Sequence, residues 1–234
     1  MENDISLNRF ISASGLCSRR EADEMIEQGR VYINGRRAEK GNRVKAGDKV
    51  TVDGEVLQNQ SKDVVIAFYK PEGISTTTDT NDKANIISFI DHPEHIFPIG
   101  KLDKDASGLI LLTNRSDLAN KMKKMEGEYK KEFIVQLNKP VNKEMLKSIS
   151  KGVKLKKGKS KPCNTYSAAK HAFGIIVSES QSRLIRTIVA MFGYRILALH
   201  CDRIMHIKLG KMKPGRWRNL NSQEMHLLEE RFGL

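Results

Sequence analysis

The stretch Gly100–Lys101–Leu102–Asp103–Lys104–Asp105–Ala106–Ser107–Gly108, followed at once by Leu109–Ile110–Leu111–Leu112–Thr113–Asn114, decides the fold of the larger part of the chain. Four consecutive apolar residues, bounded by glycine and by Thr-Asn, spell a short strand buried on both faces. The residues before them form a loop with a glycine at each end. Two lysines flank Asp103, and neighbouring cations favour the charged form of a carboxylate. The buried strand pins one end of the loop, so Asp103 is presented from a rigid support. Spacing alone leaves two readings open, a catalytic carboxylate and a solvated turn charge.

Outward from this loop, 234 residues leave room for one domain of ordinary size and a small companion. No apolar run approaches the roughly eighteen residues that a membrane-spanning helix needs, and the polar, acidic start Met1–Glu2–Asn3–Asp4 is unlike a secretory signal. Cys17, Cys163 and Cys201 are scattered, with no Cys-x-x-Cys or histidine-cluster spacing. They fit a reducing cytoplasm and argue against a metal site. The net charge is +13. Residues 1–60 contribute nothing to it, with 10 basic and 10 acidic groups, whereas residues 61–234 carry 31 and 18. Within the latter, 115–170 holds 16 basic against 5 acidic groups. So lopsided a surface makes a nucleic-acid backbone the leading partner, ahead of a merely solvated face.

The first sixty residues read as two helices and a small sheet. Leu7, Phe10 and Ile11 give one side of a helix that stops at Gly15, and Ser18 with Glu21 forms a capping box for a second, burying Ala22, Met25 and Ile26. Val31–Ile33 turns at Asn34–Gly35, and Val50–Val52 turns at Asp53–Gly54, both strong hairpin signals. Arg9, Arg19, Arg20 and Arg36 fall outside this core. Residues 55–63 read as a polar linker, and the larger domain opens with the apolar run Val64–Tyr69, closed by Lys70–Pro71–Glu72–Gly73.

Beyond the Asp103 loop, Leu118, Met122 and Met125 mark a helix face, and Lys131–Leu137 alternates as a half-buried strand should. Six lysines between Lys151 and Lys161, among them Lys156 and Lys157, make a cationic loop without aromatics, suited to positioning phosphates. Ile185, Ile188, Val189 and Phe192 lie on one face of a helix read within Ser180–Tyr194, with Arg183 and Arg186 on another stripe of its first two turns. Cations there oppose the helix dipole unless an anion sits opposite. Trp217 reads as a core anchor, and Asn221 with Glu224 caps a last helix with Leu227 and Leu228 inward.

Several of these segments resemble one family in the same order. Gly-Lys-Leu-Asp-x-x-Ala-x-Gly-Leu, with its apolar strand and Thr-Asn, is similar to the signature loop of the Rsu/RluF family of ribosomal RNA pseudouridine synthases. Leu-Asn-Arg-Phe-Ile and Ser-Arg-Arg-Glu-Ala resemble an S4 RNA-binding domain, and Lys-Pro-x-Gly, Asp202–Met205 and Pro214–Leu220 match further family segments. The resemblance implies an α+β chain: an S4-like RNA-binding module over 1–60 and a catalytic domain over 62–234, with a mainly antiparallel mixed sheet and flanking helices. It implies conversion of uridine to pseudouridine in structured RNA, with Asp103 as nucleophile, Arg186 as its buried ion-pair partner and Phe133 stacking on the flipped base. No cofactor or metal is implied. Lys101 falls where the family has an Arg that fills the space the base vacates; with Arg9, Arg19, Arg20, Arg36, Lys156, Lys157 and Arg183 it makes up the expected RNA contacts. Large-subunit ribosomal RNA is the expected substrate, with transfer RNA as the other candidate, for a cytoplasmic monomer. Three positions depart from the family pattern: Lys101 replaces Arg, Phe133 replaces a Tyr whose hydroxyl could take the C5 proton, and Leu184 replaces the Gln of Gln-Ile-Arg. The other reading is therefore a catalytically weakened or inactive RNA-binding relative that acts in ribosome assembly.

Overall fold

The computed structural model describes residues 4–57, 62–79, 81–155 and 158–234. Residues 58–61 of the expected linker, and Lys156 and Lys157 of the cationic loop, lie outside the described residues. The chain forms two compact units, Met1–Val64 with His92–Ile96, and Val65–Asp91 with Phe97–Leu234.

In the first unit β1 (Ile5–Ser6), α1 (Leu7–Ala13), α2 (Arg19–Glu27), β2 (Val31–Ile33), β3 (Arg36–Arg37), β4 (Arg43–Val44), β5 (Val50–Val52) and β6 (Glu55–Val56) follow in order. The capping box forms: the Ser18 N–H donates to the Glu21 carboxylate at 2.7 Å, and the Glu21 N–H to the Ser18 hydroxyl at 3.3 Å. Leu7, Ile11, Ala22, Ile26, Val31, Val44, Val50 and Val52 close one core, against which Met25 is only partly buried. The polar stretch after Gly54 does not begin as a linker. The Asp53–Gly54 turn brings Glu55–Val56 back onto Thr51–Val52 as a fourth strand in the order β3-β2-β5-β6.

The second unit contains β7 (Val65–Lys70), α3 (Ile86–Ile90), β8 (Phe97–Ile99), β9 (Ser107–Thr113), α4 (Ser116–Lys124), β10 (Lys130–Leu137), α5 (Lys143–Ser150), β11 (Asn164–Ala169), β12 (Ala172–Ser178), α6 (Glu179–Ser182), α7 (Ile185–Met191), β13 (Ile196–Ile204), β14 (Ile207–Lys208), β15 (Trp217–Asn219) and α8 (Ser222–Phe232). Its sheet runs β11-β12-β10-β13-β9-β7-β15, with β14 on β13 and β8 on β9. Every described pairing in it is antiparallel except β13 with β9, where His200 meets Ser107 and Cys201 meets Gly108. The chain is thus α+β with a mainly antiparallel mixed sheet. Strand β9 is buried from Gly108 to Thr113, as its unbroken apolar run requires.

Three expectations change. The helix read across Ser180–Tyr194 is two helices, α6 and α7, with Arg183 in the turn between them and Arg186 in the first turn of α7. Trp217 lies on β15 at the end of the sheet order and is 38% exposed, because β7 covers it on one edge alone. In α8 it is Leu228 and Phe232, four residues apart, that point inward, while Leu227 faces outward. The described ends of the cationic loop are joined at its base: Ser160 N–H donates to Val153 O at 2.9 Å and Val153 N–H to the Ser160 hydroxyl at 2.8 Å.

Candidate active site

The parallel pairing of β13 with β9 puts the segments entering both strands on the same side of the sheet. The Asp103 loop enters β9, and α7 precedes β13. This is how two side chains 83 positions apart come together: Arg186 Nε lies 3.5 Å from Asp103 Oδ2. A terminal nitrogen of the same guanidinium donates to Asp105 Oδ1 at 2.8 Å, so one planar fork spans two carboxylates. The pair is not buried as expected. Arg186 is 35% and Asp103 58% exposed, because the loop projects from the strand end. In water such a contact contributes about 0–1 kcal/mol to the stability of the fold.

The backbone of the loop is held at three points. The Thr76 hydroxyl donates to Leu102 O at 2.6 Å and accepts from Leu102 N–H at 3.3 Å, fixing the residue before Asp103 from both sides. At the far end Lys70, fully buried at the end of β7, donates to Ile74 O at 2.8 Å, Pro71 O at 3.0 Å and Lys104 O at 3.4 Å. Burial lowers the Lys70 pKa to about 8, against the pull of Asp105, Glu72 and Asp103. At the near end Gly100 has φ +78°, and a Cβ there would meet Glu179 Oε1 at 2.8 Å. Glu179 in turn pairs with Lys131, both 2% exposed. Lys101 N–H approaches the same Oε1 at 3.4 Å.

Phe133 shares a strand face with Lys131, two residues earlier, and is buried. It pairs with Cys201, which pairs with Gly108, so two strand spacings of about 5 Å each separate it from the strand that the loop enters. Its ring belongs to the floor of the sheet. Asp103, Lys101, Lys104, Thr76, Asp79 and Asp82 line an open hollow of about 390 Å³. Arg183 is exposed and points instead to Glu126, 3.5 Å away. Arg9, Arg19, Arg20 and Arg36 are exposed on the first unit, and none of them holds a carboxylate among the described residues. Among the described residues no cluster of His, Cys, Asp or Glu could hold a metal ion.

Sequence reasoning missed Asp105, Lys70, Thr76 and the Lys131–Glu179 pair. Two of these left a signal. Lys70 closes a run of buried residues, and Lys131 has the inward parity of Phe133, Val135 and Leu137.

The family model for RNA pseudouridylate synthase matches residues 64–186, and the S4 domain model matches residues 6–50. The chain is 40% identical over 226 residues to the dual-specificity RNA pseudouridine synthase RluF of Escherichia coli K12, covering 96% of this chain and 78% of that one. This chain belongs to the RNA pseudouridylate synthase family. The synthase is also 30% identical over 231 residues to ribosomal large subunit pseudouridine synthase B of Bacillus subtilis, covering 95% of this chain and 94% of that one. A crystal structure of a pseudouridylate synthase superposes on its fold with a TM-score of 0.67 at 24% identity, over 96% of this chain and 99% of the other. The synthase is thus an RNA-modifying isomerase with an S4 RNA-binding domain. No described helix is long and apolar enough to cross a membrane.

Proposed function

We propose that the synthase isomerises a specific uridine in large-subunit ribosomal RNA, with Asp103 as the nucleophile. The observation that carries this reading is the Arg186 guanidinium, 3.5 Å from an exposed Asp103 on a loop clamped at both ends. Pseudouridine formation breaks the C1′–N1 bond, turns the uracil, joins C1′ to C5, and moves the C5 proton so that N1 gains one. The exposed Asp103 carboxyl is able to reach an extruded sugar or base; Arg186, itself anchored on Asp105, holds it in place. Flipping the base costs a few kcal/mol. Lys101 beside Asp103 fills the space it leaves with a cation, though without the planar fork of Arg. Phe133 backs the uracil as an apolar floor and has no hydroxyl for the C5 proton, which passes to water or another group. Losing a positioned base of that kind costs about 10²–10⁴-fold, so a slow enzyme is expected. Arg9, Arg19, Arg20 and Arg36, on a domain over 1–60, and Lys156, Lys157 and Arg183, on one over 62–234, bind the RNA backbone. The protein acts as a cytoplasmic monomer.

The test is to incubate the protein with unmodified large-subunit, small-subunit and transfer RNA and to map pseudouridine. Product at one position in large-subunit RNA, abolished by Asp103→Ala with RNA binding retained, is the expected result. No product from any of the three would make the chain a binding relative; product with Asp103→Ala would remove the nucleophile.

A further inference from the structure

A second cavity, of about 360 Å³, lies on the other side of Lys101 from the Asp103 hollow; Lys101 lines both. Its volume falls within the range of about 300–1,000 Å³ usual for small-ligand sites. Phe97, on β8, and Tyr129, just before β10, supply aromatic wall, and Asn120 and Lys123 on α4 and Arg183 supply polar groups. Tyr129 is 97% buried by its 3% exposure, and its ring packs edge-on against Phe232 at 6.2 Å. Glu179, Glu126 and Arg183 line the same cavity as Tyr129, and their charges act on its hydroxyl. Burial holds it protonated, as a donor, and no described residue accepts its hydrogen bond. The hydroxyl is not one of the sealed, unpartnered polar atoms among the described residues, so it stays open to a partner from outside the protein. Glu179 is answered by Lys131 and Glu126 by Arg183. Lys101 and Lys123, by contrast, hold no carboxylate among the described residues, so the rim favours an anion.

We propose that this cavity is a nucleotide subsite, taking an unstacked base and its phosphate from the RNA strand next to the uridine held at Asp103. The proposal rests on the reading of the Asp103 hollow as the uridine site. A nucleobase answers each feature of the cavity. Its carbonyl or ring nitrogen accepts from the Tyr129 hydroxyl, its edge meets the Asn120 amide, its face lies against Phe97, and its phosphate meets Lys123 at the mouth. One loop residue separates the two cavities, a gap that neighbouring nucleotides of one strand bridge. Occupation of this subsite would select the sequence context of the target, because Asn120 and Tyr129 reach base edges while the lysines reach only the backbone.

The test measures binding of the full chain to a large-subunit ribosomal RNA fragment across a range of salt, with abasic residues introduced one position at a time. Tyr129→Phe is expected to weaken binding about 3- to 10-fold. Lys123→Ala is expected to flatten the slope of log K against log salt by about 0.7, one phosphate on a single strand. One abasic position should cost the wild type more than Tyr129→Phe does, because the Asn120 and Phe97 contacts go with the base, and on RNA abasic at that position Tyr129→Phe should lose nothing further. Both variants should keep the wild-type melting temperature, and with an active wild type Tyr129→Phe should raise KM with kcat unchanged. Wild-type affinity and slope in both variants, or a Tyr129→Phe effect independent of every abasic position, would overturn the subsite. Because binding is read directly, a wild type that binds but makes no pseudouridine would sink the catalytic reading without touching this one.

Discussion

Lys70 carries a buried positive charge next to three backbone carbonyls, under a loop with two carboxylates. Its pKa falls from the usual 10.5 to about 8, chiefly by burial. Below about 8 both folded and unfolded chains hold the proton. Between 8 and 10.5 the unfolded chain binds more, so this residue's contribution to stability rises with pH across that window. Activity should move the other way. A neutral amine has two hydrogens for three carbonyls and leaves the loop more negative. The expected kcat–pH profile has a falling limb near pH 8, to within a unit, while the wild type becomes more stable relative to Lys70→Met over the same range. A Lys70→Met profile that kept this limb would assign it elsewhere. Gly108 tests the same region sterically. At φ +114° a Cβ would meet Cys201 O at 2.2 Å and Cys201 N at 2.5 Å, both backbone atoms that cannot give way. Gly108→Ala should therefore cost about 3 kcal/mol or more in urea unfolding, from overpacking and strain together. A loss below about 1 kcal/mol would mean that β13 and β9 part more easily than their pairing implies.

At the scale of the element, the question is why β10 buries a lysine. Lys131 has the parity of Phe133, Val135 and Leu137, so the strand cannot turn it to solvent without exposing all three. Glu179 at the start of α6 makes its burial tolerable, and the pair in turn shapes the turn at Gly100. Removing one partner of a pair this deep typically costs about 3–5 kcal/mol, because the other charge is left stranded. Glu179→Gln should cost about that much in urea unfolding, and Lys131→Met with Glu179→Gln should recover most of it; a double variant no better than the single one would deny the coupling. This element also marks where the sequence stops being legible. Periodicity exposed β9, β10 and the capped helices α2 and α8, since each follows from neighbours two to four positions apart. The family resemblance placed Asp103 and Arg186, and their approach was visible from nowhere else in the chain. Thr76, Asp105 and Glu179 were missed because their partners lie far along the chain, and Lys70 because its acceptors are backbone carbonyls, Pro71 O and Ile74 O among them, that residue types do not announce. The bend between α6 and α7 was missed for a related reason: Arg183 and Leu184 have helical dihedrals, so nothing in their types announces a break.

For the whole molecule, the charge is divided unequally, and that division makes a prediction about binding. Residues 1–60 are neutral overall, yet Arg9, Arg19, Arg20 and Arg36 are exposed there, and an arginine acts on a phosphate within a Debye length of about 10 Å whatever the distant acids do. Residues 61–234 carry the entire excess of +13, most of it between 115 and 170. The first set can position RNA locally, whereas the second supplies a long-range field. Their salt responses should differ accordingly. Each phosphate neutralised on a single strand contributes about −0.7 to the slope of log K against log salt, and on a duplex about −0.9. Reversing one charge among Lys151, Lys154, Lys159 and Lys161 should lower the association rate and flatten its salt dependence. Replacing Arg19 or Arg20 by Ala should mainly speed dissociation, since local contacts act after encounter. Stopped-flow association of labelled ribosomal RNA at three salt concentrations separates the two. If the arginine variants slowed association as much as the lysine reversals did, the positive charge would be working as one undivided field.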